Sequence, residues 1–328
     1  MKKFIVNVAC FFVIVVVIDI IAGVVFPFLV ANAKGGDNKR NNYICLETNE
    51  DILIFGSSRA IHHYHPGLIS DSTGMTCYNC GQDGNGVILN YGRLLMINKR
   101  YAPKMIIYDV QNTFDLTAGE DNHKYLAWLK AYYDQGGIEE IFASVDSTEK
   151  YKMMSNLYRY NSKCVQIVSD CIHPMQSLGI KGYRPLAGKM DTMKIVRKAS
   201  KSVSVPKWDD MKIAYIHKFI DATKDSKLVF VISPIWYGMD ESQYEIIRTI
   251  CREKNIPFYD FANNPKYVHH NEYFRDGSHM NSIGAEEFTK DLMRMMKKDK
   301  LLPCAEVQAA LYSQSSSASS QCAQIISK

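Results

Sequence analysis

The stretch Asp51-Ile52-Leu53-Ile54-Phe55-Gly56-Ser57-Ser58-Arg59 decides the fold. A short apolar run of strand length ends directly in Gly-Ser-Ser, with helix-compatible residues beyond it. A run apolar at every position is buried on both faces, as in a parallel sheet. Further runs of the same kind follow at residues 75–78, 104–110, 227–234 and 256–260. Helical stretches alternate with them: Val87 to Asn98, Ser242 to Lys254 and Ser282 to Lys297. In the second of these Tyr244, Ile247 and Cys251 share one face at helical spacing. Short strands alternating with helices predict a three-layer α/β/α sandwich with a mostly parallel sheet.

The first 31 residues are a different material. After Lys2 and Lys3, residues 4–30 are almost wholly apolar, with Asn7 and Asp19 the polar exceptions. About 20 such residues cross a bilayer core, so the segment reads as one N-terminal transmembrane helix. A cleaved signal peptide ending at Ala31-Asn32-Ala33 is the competing reading, and the length of the apolar run argues against it. Asp19 would cost about 2.5–3.5 kcal/mol at mid-membrane, a cost that a partner helix could relieve. Lysines precede the segment, and Lys34, Lys39 and Arg40 follow it, so charge does not orient it.

Residues 32–50 are polar and read as a linker. The α/β domain is expected over 51–302, with a helical insertion at about 120–205 that either covers the site or serves as scaffold elsewhere. Residues 303–328 form a Ser-rich tail of disorder-promoting composition. The net charge of +5 is modest for 328 residues and no basic run stands out, which excludes nucleic acid as a natural partner. Nine cysteines without framework spacing argue against a disulfide scaffold. Cys77 and Cys80 have CxxC spacing, but no second pair completes a zinc site.

Far downstream the chain reads Tyr273-Phe274-Arg275-Asp276-Gly277-Ser278-His279-Met280-Asn281. Ser58 at a strand end and an Asp276-x-x-His279 loop can build a Ser-His-Asp triad. Taken singly, the serine could be a helix N-cap and the loop a turn with a surface histidine. His62, His63 and His65 cluster after Ser58 and read as polar residues at a pocket rim rather than a metal set. His269 and His270 read as surface residues. Arg59 could orient an anionic or carbonyl substrate, or sit solvated at a helix start.

Together these stretches resemble the SGNH (GDSL-type) hydrolase superfamily. Gly56-Ser57-Ser58 is similar to its first block, with Ser57 where Asp is usual, which makes Ser58 the nucleophile. Asn79-Cys80-Gly81-Gln82-Asp83-Gly84 resembles the second and implies Gly84 as an oxyanion-hole glycine. Asp276 and His279 match the last block, where His279 is the base and Asp276 orients it. The third block departs: Gly-x-Asn-Asp is replaced by Asp109-Val110-Gln111-Asn112, so Asn112 supplies the amide only in a shifted register. The resemblance implies a serine esterase or acyltransferase with an oxyanion hole from Ser58, Gly84 and Asn112, and no cofactor or metal. The anchor and the altered third block are similar to envelope-associated relatives that transfer acyl groups to polymers. That implies acylated carbohydrate or another ester as substrate and an extracytoplasmic domain on a bacterial inner membrane. It also implies a possible membrane acyltransferase partner. The rival expectation is a non-catalytic envelope protein that binds a glycan or an acyltransferase. A flavodoxin-like or Rossmann-like nucleotide binder lacks its Gly-x-Gly-x-x-Gly loop here.

Overall fold

The computed structural model describes residues 1–173, 179–191 and 206–302. The expected 303–328 tail and the last part of the 120–205 insertion lie outside the described residues. Five parallel strands, β1 (Ile52–Gly56), β2 (Cys77–Asn79), β3 (Met105–Asp109), β4 (Lys227–Ile232) and β5 (Phe258–Asp260), form one sheet in the order β2-β1-β3-β4-β5. This is the doubly wound α/β architecture that the run of short apolar strands predicts.

The helices precede and separate the strands. α1 (Lys2–Ala31) and α2 (Gly36–Asn42) come before β1; α3 (Ser58–His63) and α4 (Pro66–Thr73) lie between β1 and β2; α5 (Val87–Asn98) leads to β3. After β3 come α6 (Asn112–Asp115), α7 (Glu139–Val145), α8 (Glu149–Lys152), α9 (Asn156–Tyr160), α10 (Cys164–Ile172) and α11 (Asp210–Ala222). α12 (Glu245–Glu253) precedes β5, and α13 (Ser282–Lys298) follows it.

Strand side chains alternate between faces. Leu53, Phe55, Tyr108, Phe230 and Ile232 enter one core with residues of α5, α11 and α12. Ile52, Ile54, Ile107, Val229 and Val231 enter the other, with Phe288, Leu292 and Met296 of α13. Burial on both faces is why these strands carry no polar alternation.

α1 is one helix long and apolar enough to cross a membrane. Residues 32–50 depart from the expected linker. They are largely helical, and Arg40, Asn41 and Asn42 are buried. The Arg40 guanidinium donates to Asn79 O at 2.6 Å, Asn41 Nδ2 donates to Trp128 O at 2.9 Å, and Asn42 Nδ2 donates to Val30 O at 2.6 Å. Polar composition misleads because these side chains bond backbone carbonyls of the domain and of α1 instead of water. Cys77 and Cys80 are both buried free thiols.

Candidate active site

β1 delivers Ser58 to the carboxyl edge of the sheet, beside the point where the strand order reverses. Open α/β sheets form their ligand crevice there, because loops from neighbouring strands diverge. Gly56 makes the turn possible. Its φ is +139°, and a side chain there would meet the Asp109 carbonyl oxygen at 2.6 Å.

Ser58, only 8% exposed, has its Oγ 2.8 Å from His279 Nε2. On the far side of the ring, His279 Nδ1 lies 3.0 Å from both Asp276 carboxylate oxygens. The carboxylate also accepts the backbone N–H groups of Ser278 at 2.9 Å and His279 at 3.0 Å. Nδ1 therefore carries the proton, and Nε2 is left to accept from the serine hydroxyl. Burial pushes the Asp276 carboxyl up, but the hydrogen bonds and charge of His279 with the Ser278 amide outweigh it and hold the group at about 2. The three residues nominated from sequence are thus brought together in one hydrogen-bonded line.

The other nominated residues are placed differently. Gly84 has φ +64°, and the space its side chain would occupy is open. Its loop meets that of Asn112, since the position of a Gly86 side chain is 2.1 Å from Phe114 O. Asn112 starts α6, with its Nδ2 donating to Gln243 Oε1 at 2.9 Å and its Oδ1 accepting from Thr113 N at 2.8 Å. The side-chain amide is therefore held by its neighbours on both its nitrogen and its oxygen. Arg59 is neither a substrate-orienting residue nor a solvated one. It is buried, its guanidinium is 3.4 Å from Asp109 and 3.1 Å from the Tyr244 hydroxyl, and it also bonds Val110 O. Burial pushes the Asp109 carboxyl up against the pull of Arg59.

The three histidines after Ser58 divide. His62 reaches Arg184 O at 2.7 Å and Asp83 at 3.1 Å, and its ring meets that of His279 edge-on at 5.5 Å. His65 caps α4 by accepting from Leu68 N. His63 is completely buried, and sequence reasoning missed its position. Its Nε2 accepts the Met280 N–H at 3.0 Å, so Nδ1 carries the proton and donates to Ser233 Oγ at 3.0 Å. Burial and the neighbouring His279 hold this imidazole well below its ordinary value, hence neutral.

The segment 180–190 closes over this region. Arg184 N donates to Ile61 O at 3.0 Å, Ser282 N donates to Leu186 O at 2.8 Å, and Asn281 Nδ2 donates to Gly188 O at 3.0 Å. One part of the expected insertion therefore lies against the site, while α9 and α10 pack elsewhere, against α1. A second cluster of ligand-type residues, His123, Asp146 and Glu149, is already occupied by Lys152, at 2.8 Å from Asp146 and 3.0 Å from Glu149.

No protein-family model matches the chain, and no curated protein matches it in sequence. Among solved structures, one described provisionally as a platelet activating factor from Streptococcus pneumonia is similar at 13% identity, over 82% of this chain and 94% of that chain, with a TM-score of 0.38. That likeness is too distant to carry over any property.

Proposed function

We propose that this chain is a membrane-anchored serine esterase or acyltransferase of the SGNH type, acting on ester-linked acyl groups of envelope glycans or related polymers. The observation that carries the reading is the Ser58–His279–Asp276 line, 2.8 Å at its first link and 3.0 Å at its second. Such a line activates a hydroxyl for attack on an acyl carbon. The polymer substrate and the envelope setting come from the sequence resemblance.

In the reaction Ser58 Oγ bonds the ester carbonyl carbon as its proton passes to His279 Nε2. Asp276 keeps the resulting imidazolium oriented. The backbone N–H groups of Ser58 and Gly84, joined by the Asn112 amide once it leaves Gln243, receive the developing oxyanion. Collapse breaks the ester bond, and the departing alkoxide takes the proton from His279. Water or a sugar hydroxyl then gives its proton to His279 and attacks the acyl-enzyme; as the Ser58–acyl bond breaks, His279 returns that proton to Ser58 Oγ and the acid or new ester leaves. Water makes the protein an esterase; a sugar hydroxyl makes it a transferase. In this reading α1 holds the domain on the extracytoplasmic face of a bacterial membrane, where a membrane acyltransferase could supply the acyl group.

The test is labelling of the full chain in detergent with a fluorophosphonate, beside Ser58→Ala and His279→Ala. The wild type is expected to label, and both variants to lose the label. A folded wild type that does not label would shift the reading to a glycan- or acyltransferase-binding protein. The tethered Asn112 amide is the one observation that favours that alternative.

A further inference from the structure

Asp19 interrupts an otherwise apolar helix, and its carboxylate is fully engaged. It accepts Ser155 Oγ at 2.6 Å, Leu157 N at 2.9 Å, Asn156 Nδ2 at 3.1 Å and Asn156 N at 3.2 Å. The acceptor for the first backbone N–H groups of α9 thus comes from α1, 136 to 138 residues away in sequence. The packing continues up the helix. From Val15 onward one stripe of α1 is covered, with Asp19, Ala22, Gly23, Phe26 and Val30 falling on it at helical spacing. A side chain at Gly23 would meet Asn156 at 2.5 Å, and Phe26 stacks on Tyr160 at 5.2 Å. Residues 4–14 are exposed all round.

The lengths force a conclusion about the membrane. α1 has 30 residues, about 45 Å of helix. A hydrocarbon core of about 30 Å takes about 20 of them, and the shortest workable span is about 17. With Lys2 and Lys3 held at one surface, the core extends from Phe4 to about Gly23, or to about Ile20 at the shortest. The exposed portion that ends at residue 14 is too short to cross alone. The level of Asp19 therefore falls inside the near leaflet, and the start of α9 goes with it. α8 and the turn leading into α9 have a composition suited to that depth. Met154 is 76% exposed and Tyr151 64% exposed, and the Lys150 ammonium lies 4.8 Å over the Tyr151 ring. Exposed apolar, aromatic and cationic groups together are what a headgroup boundary accommodates.

We infer that the turn between α8 and α9 is seated in the near leaflet of the bilayer, and that Asp19 locks it to α1. The anchor is then a rigid mount that fixes the height and tilt of the Ser58 crevice above the lipid. The inference rests on the proposed crossing of the bilayer by α1, and commits to lipid as the cover of Tyr151 and Met154.

The test uses the full chain in proteoliposomes with lipids brominated near the top of the acyl chain. Met154→Trp is compared with Met295→Trp, on α13 across the sheet, over the background of the three native tryptophans. The Met154→Trp emission is expected to be blue-shifted and quenched several-fold more than that of Met295→Trp. Adding Asp19→Leu, which keeps α1 apolar, is expected to reduce that quenching to the Met295→Trp level. Equal quenching of the two single variants overturns the seat. So does a shielded, unquenched Trp at 154, which would mean a protein partner or a second copy covers the turn. Quenching that survives Asp19→Leu overturns the lock. Resistance to alkaline carbonate extraction reads the crossing itself, so failure of the anchor is distinguished from failure of the seat.

Discussion

The buried ring of His63 accepts the backbone N–H of Met280, the residue immediately after His279, at 3.0 Å. A neutral imidazole in the core thereby fixes the backbone that carries the proposed base. Its ring nitrogens bond Ser233 Oγ and the Met280 N–H rather than the Ser58 hydroxyl, so it acts as a positioning residue. His63→Phe removes the acceptor and leaves the Met280 N–H buried without a partner, which costs about 1–3 kcal/mol. The expected result is a lower denaturation midpoint together with slower fluorophosphonate labelling. His63→Gln, which can still accept, should recover part of the labelling rate. Destabilisation with an unchanged labelling rate would mean that His63 is only core.

Asp276→Asn tests the orienting carboxylate by activity. An amide can present its NH2 group to Nδ1 and leave the imidazole in the wrong tautomer. Turnover of an activated ester should fall by on the order of 10⁴-fold, as expected for a triad that loses its acid, with the fold intact. A loss of only a few-fold would show that Asp276 does not set the tautomer.

The same carboxylate has a pH signature. Its folded value is about 2, below the value of about 3.9 for a free aspartate. A depressed folded value means that its stabilisation is complete above pH ~4 and is lost as pH falls towards 2. The stability gap between wild type and Asp276→Asn should be constant from pH 6 to about 4 and close below that. With the side chain about half exposed, the gap itself should be small. Thermal melts of both proteins across this range decide the point; a gap unchanged down to pH ~2 would contradict it.

Asn112 separates an oxyanion donor from a structural tie to Gln243. Asn112→Ala should lower turnover by about 10²–10³-fold if the amide serves the transition state. Gln243→Ala removes only the tether, so it should keep or raise turnover. If the two variants lose activity equally, the hydrogen bond between them is what matters, and the oxyanion role falls.

Arg59 and Asp109 form a buried pair beside the Ser58 turn. Removing one partner of such a pair leaves an uncompensated charge and costs about 3–5 kcal/mol. Arg59→Met and Asp109→Asn should each destabilise strongly, and the double variant should lose clearly less than the sum of the two. A denaturant-unfolding cycle measures the difference; strict additivity would deny the coupling.

The sheet was legible because five short apolar runs left little choice, and the helix over Val87–Asn98 appears within the bounds its spacing predicted. Ser58, Asp276 and His279 could be nominated because the strand-end serine and the Asp-x-x-His loop, each ambiguous alone, together resemble one family's pattern, and the structure brings the three within hydrogen-bond distance. The partners of polar residues were not legible. Arg59 finds Asp109 at the end of the neighbouring strand, His63 finds a backbone amide 217 residues away, and Asp19 finds the start of α9. A polar residue's local sequence is the same whether it faces water or a distant backbone group. Residues 32–50 were misread for that reason: their polarity is spent on carbonyls of the domain and of α1.

The spacing of Ser58 and His279, 221 residues apart, bears on how the protein is made. A ribosome adding roughly 5–20 residues each second needs roughly ten to forty-five seconds to pass from one to the other. On the proposed mechanism Ser58 is an ordinary alcohol throughout that interval, because the His279 imidazole that takes its proton has not yet been added. Premature termination anywhere upstream of His279 therefore yields an inert fragment. If the domain is exported as proposed, the nascent chain crosses the membrane before it can attack an ester.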